Sequence, residues 1–351
     1  MTADPLLEIQ QLLRRYPADC QPERIEPLGS AGGMSGARFW RLATPRGELA
    51  LRRWPREHPT SEHLTFIHAV LRAAAERGID FLPVPLATRD GRSFVEQGGR
   101  LWELSRWLPG AADYEVTRRV EKLRAALRAL ARFHLVVADF AIATNNAPKG
   151  ASAAAAAGVS PGVSRRLAQL QLLHCGGATV LADSVRDDAW PELAPLARHF
   201  MRALPAALPG AIARFAPLHD LRFALQPCLR DVWHDHVLFV GDEVSGLIDF
   251  GALDVETPAG DVARLLGSFA SLIPPAQEEA EIWSAGLAAY EAERPLSQNE
   301  RIAVAVFDIS GTLLAGCNWI RWIYVERRDF DNRPQVVERF RRIVARCERL
   351  F

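Results

Sequence analysis

The apolar positions of this chain change their period once, near Tyr114. Upstream, short runs alternate apolar and polar residues between turn formers. "ARFWRLAT" and "GELALRRW" alternate at every second position and join at Pro45–Gly47, the pattern of two antiparallel strands. A helix of about Pro5–Arg15 precedes them, with an amphipathic period from Leu6 to Leu13. "SEHLTFIHAVLRAAAERG" puts Leu64, Ile67, Leu71 and Ala74 on one helical face, with Ser61 expected as N-cap and Gly78 as the stop. "FLPVPLATRDGRSFVEQGGRLWELSRWLPG" predicts two or three further strands, with turns at Asp90–Gly91 and Gly98–Gly99 and an end at Pro109–Gly110.

Beyond Tyr114 the helical period dominates. "EVTRRVEKLRAALRALARFHLVVAD" reads as one long amphipathic helix, and helices resume near Arg165–His174, Pro191–Leu204 and from Pro258 to Phe351. Residues 145–164 are rich in Ala, Gly and Ser and nearly uncharged, which predicts a flexible loop. Within this half, "VLFV" and "SGLID" form a hairpin about the turn "GDEV". The pattern as a whole predicts an α+β chain. A small sheet lobe, 1–107, carries one helix; a helical lobe, 108–351, shares a cleft with it.

The length of 351 residues suits two lobes better than one core. With 42 basic and 42 acidic residues the formal charge is zero, so nothing in the balance favours nucleic acid or an anionic membrane as partner. The five scattered cysteines, with no C-x-x-C pair, read as reduced thiols of a cytoplasmic protein. The N-terminus lacks the basic start and apolar run of a signal peptide, and no stretch approaches the ~18 uninterrupted apolar residues of a membrane span. Lysine occurs only at Lys122 and Lys149, so no lysine is available in the first lobe.

Candidate chemistry concentrates in "LRDVWHDHVLFVGDEVSGLIDFG", Leu229 to Gly251. Asp231 heads the first hairpin strand and Asp249 ends the second, 249 − 231 = 18 residues later. Phosphoryl transfer needs such carboxylates: one orients and deprotonates the attacking hydroxyl, and another holds Mg²⁺ on the nucleotide phosphates. "DFG" is also the metal-binding tripeptide of kinases. In the first lobe, "GSAGGMSGA" lies between two strands, and "LALR" places Ala50 and Arg52 on one strand face.

Other readings compete. His234 and His236 share a face if their segment is extended, an H-x-H pair suited to a metal-dependent hydrolase, with His219 and Asp220 the nearest further ligands. "VFDISGTLLAG" echoes the D-x-D-G-T opening of haloacid dehalogenases, but Ser310 replaces the second acid and too little chain follows. An apolar helix broken or softened at Gly311 is the better reading. Trp319, Trp322 and Tyr324 at helical spacing read as packing residues, and His134 as a satisfied buried histidine.

Taken together, these motifs resemble the aminoglycoside phosphotransferase/choline kinase-like family, relatives of protein kinases. Its catalytic loop reads H-G-D-x-x-x-x-N and is followed by a hairpin ending I-D-F/W. The resemblance covers about Ile25 to Ser268. It implies a bilobal, protein-kinase-like fold with a small antiparallel-sheet N-lobe and a mainly helical C-lobe. By the same resemblance Asp231 is the catalytic aspartate and Asp249 the metal-binding one. His236 stands at the metal-binding asparagine and Leu229 at the histidine. Gly32, Gly33 and Ser35 belong to the flap over the nucleotide phosphates. Arg52 makes the phosphate contact, Glu62 is its partner, and the backbone from Ser105 to Trp107 binds adenine. Asp261 in "GDVARLLGSF" anchors the catalytic loop. The implied activity is transfer of the γ-phosphoryl group of ATP to a hydroxyl of a small metabolite. Its acceptor is an amino alcohol such as homoserine or choline, a sugar, or an aminoglycoside held by Asp254 and Glu256. The metal is Mg²⁺, or Mn²⁺ where the His236 nitrogen ligates. The departures at Leu229 and His236 leave a nucleotide-binding relative without transferase activity as the alternative.

Overall fold

A computed structural model describes residues 5–30, 36–140, 157–272, 276–330 and 332–351. In chain order the elements are α1 (Pro5–Leu13), β1 (Arg24–Gly29), β2 (Arg38–Thr44), β3 (Gly47–Arg53), α2 (Ser61–Glu76), β4 (Val95–Gln97) and β5 (Arg100–Arg106). Then come α3 (Val120–Val136), β6 (Ala157–Gly158), α4 (Pro161–Leu172), α5 (Ala178–Asp183), α6 (Ala194–Phe215), β7 (Phe223–Ala224) and β8 (Gln226–Cys228). The hairpin β9 (Val237–Val240) and β10 (Glu243–Leu247) is followed by β11 (Asp254–Glu256) and α7 (Pro258–Ala270). Three helices end the chain: α8 (Ala276–Glu293), α9 (Gln298–Ile320) and α10 (Arg333–Leu350). The fold is the bilobal α+β arrangement. One compact unit comprises Met1–Asp113 with His236–Gly251, the other Tyr114–Asp235 with Ala252–Phe351.

In the first unit five antiparallel strands lie in the order β1-β2-β3-β5-β4. Strand alternation sends Leu49 and Leu51 of β3 into a core with Trp40, Leu42, Trp102 and Leu104, closed by Ile9, Leu12, Leu13 and Tyr16 at α1. Ala50 and Arg52 are left to the opposite face. In α2 the stripe Leu64, Ile67, Leu71 and Ala74 is buried. Its N-cap is Thr60 rather than Ser61: the Thr60 hydroxyl accepts from the His63 N–H at 3.2 Å, the three-residue reach of a cap. Residues 79–94 remain irregular, so the segment holds two strands, β4 and β5.

The hairpin belongs with this unit. Ala111 and Phe239 exchange two backbone hydrogen bonds of 3.1 and 2.9 Å, and the Leu247 N–H donates to the Phe81 carbonyl at 2.8 Å. A side chain at Gly110 would collide with the Phe239 carbonyl, so glycine is required for that pairing. The expected boundary after Trp107, with the hairpin in the helical lobe, therefore moves. An isolated two-stranded hairpin is marginal in water, and these backbone groups find their partners in the first unit.

In the second unit β8 pairs with β11 and β6 with β7. Of the expected flexible stretch 145–164, residues 145–156 lie outside the described residues, and 157–164 form regular structure. Ala157 and Gly158 pair with Ala224 and Phe223. The Ser160 hydroxyl caps α4 through the Val163 N–H at 3.0 Å. Small residues here answer a packing need, since a side chain on Gly162 would strike the Glu256 carboxylate. The helix expected from Glu115 starts only at Val120. Gly311 sits inside an unbroken α9. With its following turn, Gln298–Val325 is long and apolar enough to cross a membrane, yet 67% of that window is buried, as in a core helix. Trp319 packs on Trp322 and Phe330 at ring distances of 5.2 and 5.3 Å.

Candidate active site

The residues singled out by sequence fall into two clusters, one in each unit. In the first, Asp249 follows β10 with a left-handed backbone, φ +63°. Non-glycine residues seldom hold this conformation, which costs about 1–2 kcal/mol. Gly251 beside it packs closely under Trp54: an added Cβ would lie 3.0 Å from the ring, which would have to shift.

Arg52, 8% exposed, donates from Nη2 to Asp249 Oδ1 at 3.1 Å. Its guanidinium lies over the Trp54 ring at 3.4 Å and near the Phe39 ring at 5.2 Å. The strand register sets Arg52 directly opposite Glu103, with Nη1 4.0 Å from Oε1. Glu103 is hydrogen-bonded to His68 Nε2 at 2.7 Å, and His68 Nδ1 meets the Ser93 hydroxyl at 2.8 Å. Burial opposes the Glu103 charge, but the His68 hydrogen bond and the His68 and Arg52 charges hold its carboxyl below the ordinary glutamate value. Arg52 is thus partnered by Glu103 and Asp249, whereas Glu62, in the first turn of α2, is exposed. The missed signal was cross-strand register: "WELS" runs antiparallel to "LALR" and brings an acid opposite the arginine.

His236 Nε2 lies 3.8 Å from Asp249 Oδ2, too far for a hydrogen bond. Two atoms each about 2.1 Å from one ion are at most about 4.2 Å apart, so this pair fits a shared divalent cation. Among the described residues no third histidine, cysteine or acid joins them in a ligand cluster. That donor set suits an ion whose other ligands are phosphate oxygens and water.

In the second unit, Arg230 also has a left-handed backbone, φ +64°. This turns the N–H groups of Leu229 and Arg230 toward Asp261, whose two carboxylate oxygens accept them at 2.6 Å each. Asp261 is 1% exposed in the first turn of α7, where the helix dipole favours an anion. His134 Nε2 meets it at 3.1 Å and is itself steadied by the Tyr290 hydroxyl at 2.7 Å. The His234 N–H donates to the Ser268 hydroxyl at 2.9 Å, a second tie to α7. His134, Cys228 and Asp261 offer ligand atoms within 4.8 Å of one another, but Asp261 is already committed to the loop.

Asp231 Oδ1 accepts from Trp233 Nε1 at 2.8 Å and from Arg264 Nε at 2.8 Å, with Arg264 Nη2 in contact as well. The Arg264 guanidinium covers the Trp233 ring at 4.2 Å. Neither residue stood out in the sequence. Arg264 lies three positions after Asp261 on α7, hence on the same helical face, and that spacing was its available signal.

Several expectations change. His234–His236 is a 3₁₀ turn rather than extended, so alternation does not give the H-x-H pair one face, and His234 Nε2 lies 2.5 Å from Asp235 Oδ1. Asp254 is bound by Arg230 at 2.9 Å, and Glu256 accepts the Ser160 hydroxyl and the Thr257 N–H, so neither lends an acidic pocket for an aminoglycoside. Ser105 is buried opposite Ala50, and the Trp107 N–H donates to the Glu48 carbonyl at 3.0 Å, so that donor is taken within the sheet. Gly32, Gly33 and Ser35 lie outside the described residues.

Comparison with known proteins supplies a frame for this geometry. The model of the phosphotransferase enzyme family (APH) matches residues 28–296. A homoserine kinase of Xanthobacter autotrophicus is 28% identical over 276 residues, 79% of this chain and 74% of that protein. One of Rhodopseudomonas palustris is 28% identical over 328 residues, 93% of this chain and 86% of its own. Among solved structures, an amicoumacin kinase in complex with AMP-PNP and Ca²⁺ has a TM-score of 0.65 at 15% identity, covering 98% of this chain and 93% of that one. At that identity the likeness is one of fold.

Proposed function

This chain belongs to the phosphotransferase enzyme family, and from that premise we propose that it transfers the γ-phosphoryl group of ATP to a hydroxyl of a small amino alcohol. It is a small-molecule kinase with an alcohol acceptor, using ATP and a divalent metal. The observation that carries the assignment of residues is the 3.1 Å bond from Arg52 to Asp249, which joins two candidates 197 positions apart. A cation for phosphate and a carboxylate for metal, side by side, is what nucleotide phosphates require. The relatives named homoserine kinase favour an acceptor of that size.

Asp231 orients the acceptor hydroxyl and takes its proton as the new O–P bond forms and the bond to the β–γ bridging oxygen breaks, releasing ADP. Arg264 and Trp233 aim the Asp231 carboxylate. Asp249 and His236 would hold the divalent ion, which when bound neutralises phosphate charge. Arg52 contacts the phosphates.

The test is ADP release across amino alcohols, sugars and aminoglycosides, with nucleotide binding followed in parallel by thermal shift with Mg²⁺ or Mn²⁺. Nucleotide binding without transfer to any acceptor would leave the silent relative standing. His236→Asn replaces a nitrogen ligand by a carbonyl oxygen and should move metal preference from Mn²⁺ toward Mg²⁺ by about tenfold. An unaltered preference would remove His236 from the metal site.

A further inference from the structure

A group of guanidinium ions in the second unit exceeds the carboxylates set against it. Arg264 answers Asp231 and Arg230 answers Asp254 at 2.9 Å. On α4, Arg165 Nη2 reaches no nearer than 3.9 Å to Glu256 Oε2, whose partner oxygen already binds Ser160. Arg166, on the same helix, lies within ion-pair distance of no carboxylate among the described residues. Instead its Nη1 is held by the Phe307 carbonyl at 3.3 Å and the Ser310 hydroxyl at 3.1 Å, with the Phe307 ring 4.9 Å from its charge.

The seat for Arg166 is shaped. Ser310 is fully buried and turns its own proton to the Phe307 carbonyl at 3.0 Å, so its oxygen faces the guanidinium. An added Cβ at Gly311 would stand 3.4 Å from Nη1, in ordinary contact, so the guanidinium lies against α9 at this position. Burial, then the repulsion of Arg264, lowers Arg166 to about 10, with Arg165 and Arg230 adding to it; Glu256 opposes, as does the charge of Asp308, whose carboxylate is itself held by Arg346. It is still charged at neutral pH. Arg165, Arg166, Arg230 and Arg264 thus face Asp231, Asp254 and Glu256, and Asp308 is taken by Arg346. The half-buried Arg166 has no carboxylate within ion-pair distance among the described residues, while it feels the charge of the arginine that grips Asp231. Burying a charge this way is costly unless an anion arrives to meet it.

Resting on the kinase reading above, we propose that the acceptor alcohol carries an anionic group, a carboxylate or a phosphate ester, and that Arg166 with Arg165 binds it. This gives the "ISGT" stretch of α9 a role that neither the phosphatase nor the plain-helix reading offered: it seats the anion-reading arginine. It also accounts for the engagement of Asp254 by Arg230 and of Glu256 by Ser160 and Thr257, since a cationic acceptor would need those acids free.

Matched alcohols differing only in the anion test this. L-homoserine against 3-aminopropan-1-ol isolates a carboxylate, and glycerol 3-phosphate against glycerol isolates a phosphate. Equilibrium binding to the intact chain is measured by calorimetry, and kcat/KM by ADP release. The anionic member of at least one pair should bind about 10- to 100-fold tighter, the range of a charge-assisted hydrogen bond, and the pair that shows it identifies the anion. Arg166→Gln should remove most of that preference. Arg165→Gln, at a side chain 48% exposed and so safe for folding, should lower it severalfold. Equal binding of charged and neutral members in both pairs, or a preference that survives both substitutions, overturns the proposal. Selective anion binding lost in Arg166→Gln but with no phosphoryl transfer would uphold the anion site and sink the kinase reading instead.

Discussion

Asp249 and Asp231 each lie against an arginine, but the two pairs are built from opposite directions. In the first unit the cation is the fixed partner. Arg52 is buried in a sheet, stacked on Trp54 and facing Glu103, while Asp249 arrives on a hairpin with a strained backbone and meets the arginine at 3.1 Å. In the second unit the acid's loop is fixed. Two N–H groups clamp it to Asp261, and Arg264 comes from the same helix, so α7 supplies both the anchor and the aiming cation. A sheet therefore holds the Arg52–Asp249 pair and a single helix the Asp231–Arg264 pair. The two acids should respond differently when disturbed.

The largest expected contrast is between the acids themselves. Asp231→Asn should lower kcat by about 10²- to 10⁴-fold, the worth of a general base, with nucleotide affinity little changed. Asp249→Asn should weaken metal-dependent nucleotide binding by about tenfold or more in addition to losing turnover. Calorimetry with ATP and metal, beside single-turnover kinetics, separates them. Nucleotide affinity lost equally in both variants would erase the distinction drawn here.

Next is the clamp. Asp261→Asn keeps one acceptor but turns an amide N–H toward a backbone donor, and should destabilise the chain by about 2–4 kcal/mol in urea unfolding. A cost near zero would mean the loop is held by other groups.

Smaller, and more specific, is Arg264→Met. It leaves the loop clamped and the Trp233 bond in place but removes the guanidinium fork from Asp231, so kcat should fall about 10- to 100-fold while KM for ATP stays put. Arg264→Lys should recover only part of this, since a point charge cannot reproduce the fork that grips Oδ1. If KM for ATP rose instead, Arg264 would belong with the nucleotide.

Much of the fold was readable because strand and helix periods are local: the alternation in "GELALRRW" and the stripe of α2 dictate their own buried faces. The low-complexity stretch misled for the same reason in reverse. Its small residues carry no period; the Ser160 cap ahead of Pro161 was a local signal passed over, whereas the close approach at Gly162 shows only against Glu256, about a hundred positions away in the chain. The hairpin's unit was likewise misjudged, since its partners Phe81 and Ala111 lie far upstream.

What the sequence by itself determined is a short set of candidate acids: Asp231 and Asp249 from their places at the two ends of the hairpin, and Asp261 from the family resemblance. Which cation each acid meets was decided only by the tertiary structure. Glu103 reaches Arg52 through antiparallel register, Arg52 reaches Asp249 across 197 positions, and Arg166 finds its seat on α9. The physical reason is the range of the forces. Backbone periodicity acts over a few residues. Ion pairs act over a few ångströms of space, and in a folded chain those ångströms join residues at any separation.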